Sequence, residues 1–128
     1  MRSTISGTNP SATAETLAGA ALSLDGLMLR SLAQDLVRQY PQLASIPRPQ
    51  SEDRQILGTA AALMELLALR HGQMAPDWTR AIGKVPRPMF LVAAANRMEN
   101  LRALCEAESP EPLKKRGLYA PPDFLKFV

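Results

Sequence analysis

Proline sets the outer limits of every helix this chain can form. It lacks a backbone N–H and pushes the residue before it toward extended angles, so helices stop at or ahead of it. Three long stretches contain no proline: residues 11–40, 50–75 and 89–109. All three repeat apolar residues at spacings of three and four, the period of a helix with one buried face. The first carries Leu17, Ala20, Ala21, Leu24, Leu27, Met28, Leu32, Leu36 and Val37. It predicts helix over 12–40, capped by Ser11 or Thr13, with Glu15 in the positive first turn. Asp25-Gly26 leaves one bent helix or two as equal alternatives.

The second stretch predicts the clearest helix, 51–71. Ser51 is its expected cap, with Glu52 and Asp53 in the first turn, and Gly72 supplies a left-handed stop. Ile56, Leu57, Ala60, Leu63, Met64, Leu67 and Ala68 make one apolar face. Leu66 and Leu69 widen it, which implies burial on more than one side and leaves room for a second chain, as in a homo-oligomer. The third stretch predicts a helix opening at Pro88 and closing at Pro110, in which Phe90, Leu91, Ala94, Met98, Leu101, Ala103, Leu104 and Cys105 mix a core face with a flank. Between these lie a proline-rich linker, 41–50, and a short helical turn, Pro76 to Ile82.

At 128 residues, 46% hydrophobic and 21% charged, the chain reads as one globular domain rather than a disordered one. Ala and Leu supply much of the apolar content and β-branched residues are scarce, which favours helices. The expected fold is all-α: a small bundle of four or five helices with an irregular C-terminal cap. Residues 1–11 are a polar lead and 12–128 the single helical domain. No run of 18 apolar residues predicts a membrane span. The N-terminus lacks the apolar stretch of a signal peptide. The single cysteine, Cys105, rules out an internal disulfide and suits a reducing cytoplasm.

The C-terminal cap is unusual in composition. In "ESPEPLKKRGLYAPPDF", residues 108–124, Ser109 is the expected cap of a single helical turn, Lys114 to Arg116 its cationic end and Gly117 its stop. "LYA" reads as extended. Three of the five Phe and Tyr residues (Tyr119, Phe124, Phe127) fall in the last ten positions. Such area predicts that this end packs back on the helices or fills a partner's groove.

The catalytic inventory is poor. His71 is the only histidine and sits at a helix end, where it serves without catalysis. Cys105 flanks a core face, and a Cys–His pair from these two is the remaining enzymatic option. There is no glycine-rich phosphate loop, no metal-ligand spacing and no sign of a cofactor. The cations are more informative. Arg80, Lys84, Arg87, Arg97 and Arg102 form one cationic stretch opposed only by Glu99, and Lys114, Lys115 and Arg116 form another. Brought together, they would suit phosphates or an acidic protein surface. Left apart, they are solvated side chains with packed stems.

The segments "APDWTRAIGKVPRPMF" and "LRALCEAESPEPLKKRGLYAPPDFLKFV" resemble the C-terminal part of small bacterial proteins. In these a P-x-W turn precedes a P-x-F segment, and the chain closes on S-P-x-x-L-K-x-R-x-L-Y. The matching positions are Pro76, Trp78, Pro88, Phe90, Leu101, Arg102, Ser109, Pro110, Leu113, Lys114, Arg116 and Tyr119, all within the last 55 or so residues. Similar ends accompany abortive-infection-type nucleotidyltransferase toxins, which implies an antitoxin-like regulator with a toxin enzyme as partner. The expected function is therefore a non-enzymatic protein-interaction module. Its expected contacts are Trp78, Lys114, Lys115, Arg116, Tyr119 and Phe124. The alternative is a nucleic-acid-binding regulator using Arg80, Lys84, Arg87, Arg97 and Arg102 together with residues 114–116.

Overall fold

The computed structural model describes residues 11–126 and 128, so the expected polar lead, apart from Ser11, and Phe127 lie outside the described residues. It is mostly helical, with five α-helices and a few short 3₁₀ turns among the described residues. Helix α1 (Ala14–Leu22) opens on a reciprocal cap: the Thr13 hydroxyl accepts from Thr16 N–H at 3.0 Å, and Thr16 Oγ1 accepts from Thr13 N–H at 2.9 Å. Two helices, not one bent helix, follow from the first stretch. Leu24 takes a left-handed φ of 59°, and Asp25 then caps α2 (Gly26–Gln39) by accepting from Met28 N–H at 3.0 Å. The break is made by this stop-and-cap pair, and Tyr40 ends α2 just before Pro41.

Helix α3 (Arg54–Arg70) is the centre of the molecule. Its cap is Asp53 rather than the expected Ser51. The Asp53 carboxylate accepts from Gln55 and Ile56 N–H, and Ser51 Oγ accepts from Asp53 N–H. Leu57, Ala60, Ala61, Ala62, Leu63, Met64, Leu66, Leu67 and Ala68 are all buried. Helix α1, with Ala14, Ala18 and Ala21 buried, packs against α3, and α2 packs on α1. Leu66 is therefore covered by the chain's own elements, while Leu69 is 60% exposed. The 41–50 segment is more than a linker. Leu43 and Ile46 are core residues, and Gln73 pins it by accepting from Leu43 N–H and donating to Pro41 O.

The third helix departs from expectation. Only its second half is α-helical: α4 spans Glu99–Glu108. Ahead of it, Met89–Phe90 is a short strand, β1, and Ala93–Asn96 a 3₁₀ turn. Strand β1 pairs in parallel with β2 (Leu118–Tyr119), Met89 opposite Leu118 and Phe90 opposite Tyr119. The pairing runs on through Val85 N–H to Arg116 O at 3.0 Å, Met89 N–H to Gly117 O at 3.0 Å and Leu91 N–H to Tyr119 O at 2.8 Å. Gly117, at φ 87°, lies flat against Pro88, where a Cβ would touch the proline ring at 3.5 Å. Pro88 thus precedes a strand rather than opening a helix.

Helix α5 (Glu111–Lys114) is the expected single turn, but Ser109 does not cap it. The Ser109 hydroxyl reaches back to Cys105 O and accepts from Ala120 N–H at 2.9 Å, tying the end of α4 to the C-terminal segment. That segment folds onto the chain's own helices. Leu118, Ala120 and Leu125 are buried, and Arg70 Nη2 donates to Pro122 O and Phe124 O, both at 2.8 Å. Burying each of the two leucines stabilises the cap by roughly 1.5–3 kcal/mol. Among the described residues no helix is long and apolar enough to cross a membrane.

Candidate interaction surface

The cationic residues are positioned by a loop that lies unusually close to α3. Gly58 makes this approach feasible, because a Cβ there would stand 2.6 Å from Val85 Cγ1. Val85 is held from the other side by its bond to Arg116 O, so Ile82-Gly83-Lys84 is drawn across the helix surface. A concavity of about 310 Å³ results, lined by Glu65, Arg80, Ile82, Gly83, Lys84, Lys115 and Arg116. A second hollow of about 270 Å³ shares Ile82, Gly83 and Lys84 and adds Arg54, Leu57 and Ala81. Two cationic segments that are 30 residues apart in sequence thus meet over one loop. Arg54 joins them. Nothing in its sequence surroundings ties it to Lys84; only the packing of the loop on α3 does.

Arg116 is a correction to the expected contact surface. It is 3% exposed, inside the protein rather than on it. Its guanidinium donates to both Glu65 oxygens, at 2.8 and 3.1 Å, and to the carbonyls of Pro112, Thr79 and Ile82. A planar five-donor group can satisfy this many acceptors, whereas an ammonium cannot. The Arg116 side chain therefore holds α3, α5 and the 79–82 segment together. Lys115 completes the cluster at 2.9 Å from Glu65, with its side chain about half exposed. Burial pushes the Glu65 carboxyl up, but the hydrogen bonds from Arg116 and Lys115 and the charge of Arg116 outweigh it and hold the pKa at about 2. Glu65 stays ionised, and the cluster keeps a net positive charge facing solvent through Lys115.

The other expected contacts divide. Arg80 lies on the rim, paired with Asp77 at 3.1 Å but largely exposed, and Lys84 is exposed with no ion pair among the described residues. Arg87 is engaged through its backbone, which exchanges two bonds with the buried Gln55 side chain. Arg97 and Arg102 line neither hollow. Arg102 instead donates to Ala95 O and Asn96 O, closing the 3₁₀ turn ahead of α4. Lys114 donates to Ala107 O in the last turn of α4. Trp78 is half-buried, its indole N–H donating to Ile46 O at 2.8 Å, so it locks the 3₁₀ turn Asp77–Ala81 to the 41–50 segment. Tyr119 stacks obliquely on Phe90 with centroids 5.6 Å apart, and half-buried Phe124 lines a different groove.

The Cys–His option finds no geometry. Cys105 is sealed in the core, its thiol pKa raised by burial and by the neighbouring Glu106 charge, and no hydrogen bond joins it to the exposed His71. Among the described residues no group of His, Cys, Asp and Glu is placed to hold a metal ion. Compared with known families, curated proteins and solved structures, the chain matches none of them.

Proposed function

We propose that the chain is a non-enzymatic interaction module that docks an acidic protein partner against the basic concavity at Arg54, Arg80, Lys84 and Lys115. The observation that carries this reading is the convergence itself. Four cations, with Arg116 beneath them, meet two carboxylates, Glu65 and Asp77, around a single loop. Complementary charge of this kind sets partner choice and speeds encounter more than it adds affinity. An acidic protein fits better than a nucleic acid because the patch is compact. Arg97 and Arg102 stay off it and Arg116 is buried, so few side chains remain to follow a phosphate backbone. The resemblance of residues 76–119 to antitoxin-like proteins supports a toxin enzyme as the partner, in a reducing cytoplasm. The acidic metal-binding face of a nucleotidyltransferase would complement this surface.

The test is affinity capture from the host with and without nuclease, repeated with Arg80→Ala/Lys84→Ala. One protein partner in near-equal amount, kept after nuclease and lost in the double variant, is the expected result. The second reading, a nucleic-acid regulator, rests on the same exposed cations. It would replace the first if capture disappeared with nuclease and the purified protein bound a short duplex with a log–log salt slope of about −0.9 per neutralised phosphate.

A further inference from the structure

The larger hollow of the basic concavity has unused hydrogen-bond donors as well as charge. It is lined by four cations, Arg80, Lys84, Lys115 and Arg116, and by one carboxylate, Glu65. Asp77 is paired with Arg80 at 3.1 Å, and with both acids counted the surplus is still two positive charges. Glu65 is already engaged, because Arg116 holds both its oxygens and Lys115 lies 2.9 Å from one of them. The Arg80–Asp77 pair is on the surface, its side chains 70% and 86% exposed, and such pairs are weak enough for Arg80 to turn to a ligand. Neither Gly83 nor Lys84 makes a hydrogen bond among the described residues, so two successive backbone N–H groups and an ammonium are unused in the loop that lines the hollow. Nothing stands within 4 Å of where a Gly83 Cβ would be, which lets a ligand come close to this backbone. The loop is fixed on both sides: Val85 N–H is bonded to Arg116 O, and the buried Arg116 side chain donates to Ile82 O.

We propose that this hollow binds the phosphomonoester dianion of a small phosphorylated molecule, with Arg80, Lys84 and Lys115 around it and the Gly83 and Lys84 N–H groups as backbone donors. The inference rests on the reading of the concavity as a binding surface, but not on which protein docks there. A dianion matches the surplus of charge, and a cleft lined by one sign concentrates such ions. The donors come from separate elements: Arg80 from the 3₁₀ turn, Gly83 and Lys84 from the loop, Lys115 from the end of α5. A phosphoryl group offers three strong acceptor oxygens to donors spread in this way, whereas a carboxylate offers two in one plane. Bonds from cations and backbone N–H groups to an oxyanion are among the strongest a protein makes. Ile82 is the only apolar residue in the lining, so the hollow grips the charged group and little else, which suits a small free ligand.

Titration of the purified full chain with inorganic phosphate, followed by NMR of the backbone amides at constant ionic strength, tests this. The expected result is saturable one-to-one binding with the largest shifts at Gly83 and Lys84, and weaker binding of acetate, which carries a single charge. Lys84→Ala, at a side chain that makes no bond in the fold, should weaken phosphate by about tenfold or more, as loss of a charge-assisted bond does. Arg97→Ala, off the hollow, should leave binding unchanged. Shifts that do not saturate or that spread evenly over all the cations, acetate as tight as phosphate, or indifference to Lys84→Ala each overturn the proposal. Binding of a phosphoserine peptide without binding of phosphate overturns it too, by placing the group on a partner chain. A protein that captures its partner but ignores phosphate leaves the docking reading standing and removes this one, and a protein that binds phosphate but captures no partner does the reverse.

Discussion

Arg116 and Glu65 show how one residue pair can set both the architecture and the acid sensitivity of a small domain. Arg116 is buried, Glu65 is partly so, and Arg116 also serves three carbonyls, so the worth of the pair lies in the acceptors it satisfies rather than in charge alone. The sign of its pH dependence follows from the carboxyl. Glu65 titrates at about 2 in the folded chain against an ordinary 4.5. Its contribution is therefore fully present above pH 4.5 and is lost as pH falls through about 2. Glu65→Gln is expected to cost about 1.5–3 kcal/mol near neutrality, the range for hydrogen bonds to charged groups. The gap between wild type and variant in urea melts should close between pH 4.5 and about 2. A constant gap across that window would mean that the carboxylate is not what Arg116 stabilises. The sequence offered no warning that Arg116 differs from Lys114 and Lys115. Three successive cations look alike until the backbone decides which one turns inward, and the acceptors come from Glu65, Thr79 and Ile82, far from it along the chain.

At the scale of elements, two glycines in helix interiors lead to opposite expectations. Gly19 in α1 has nothing within 4 Å of where a Cβ would stand. Gly19→Ala should therefore stabilise the chain by up to about 1 kcal/mol, the propensity gain alone. Gly58 in α3 meets Val85 Cγ1 at 2.6 Å, with Val85 Cα and Gly83 O close behind at 3.5 Å. A short branched side chain backed by its own backbone cannot swing away, so Gly58→Ala should cost about 1–3 kcal/mol net. Adding Val85→Ala should recover part of that loss, and thermal melts of the three variants check both signs. The helical character of 12–40 and of α3 was legible because its signals are local, a three-four apolar rhythm and a cap at the start, whereas the division of 12–40 into α1 and α2 was left open and is decided by Leu24 and Asp25. Even so, the cap of α3 fell on Asp53 rather than Ser51, since both residue types suit that role and only the observed turn distinguishes them. Strand β1 was not legible. "MFLVAAA" is a continuous apolar run whose rhythm suits a helix or a buried strand, and its partner, Leu118–Tyr119, lies about 29 residues away.

For the molecule as a whole, the question is whether α1 to α3 and the irregular 76–126 region fold as one unit. The ties between them are polar and specific. Gln55 exchanges bonds with the Arg87 backbone, Trp78 with Ile46, Arg70 with Pro122 and Phe124, and Arg116 with Glu65. This explains why the candidate surface was only partly readable. The sequence marked Arg80, Lys84 and Lys115 as cations, but their convergence depends on these ties and on the bare face of Gly58, none of which has a local pattern. It also supplies a test, because Trp78, the only tryptophan, reports on the irregular region while far-UV circular dichroism reports mainly on α1 to α3. In the wild type the two probes should give coincident urea transitions, the mark of a single cooperative unit. Arg116→Met removes the donor shared by α3, α5 and the 79–82 segment and leaves Glu65 with Lys115 and Thr79. A loss of about 3–5 kcal/mol is expected, as for a buried pair deprived of one partner. Because the lost bonds join the two regions, the Trp78 transition should move to lower urea than the helical one. Coincident transitions in the variant would show instead that apolar burial by Leu113, Leu118 and Leu125 alone couples the irregular region to the helices, and that the Arg116 bonds set its stability without setting its cooperativity.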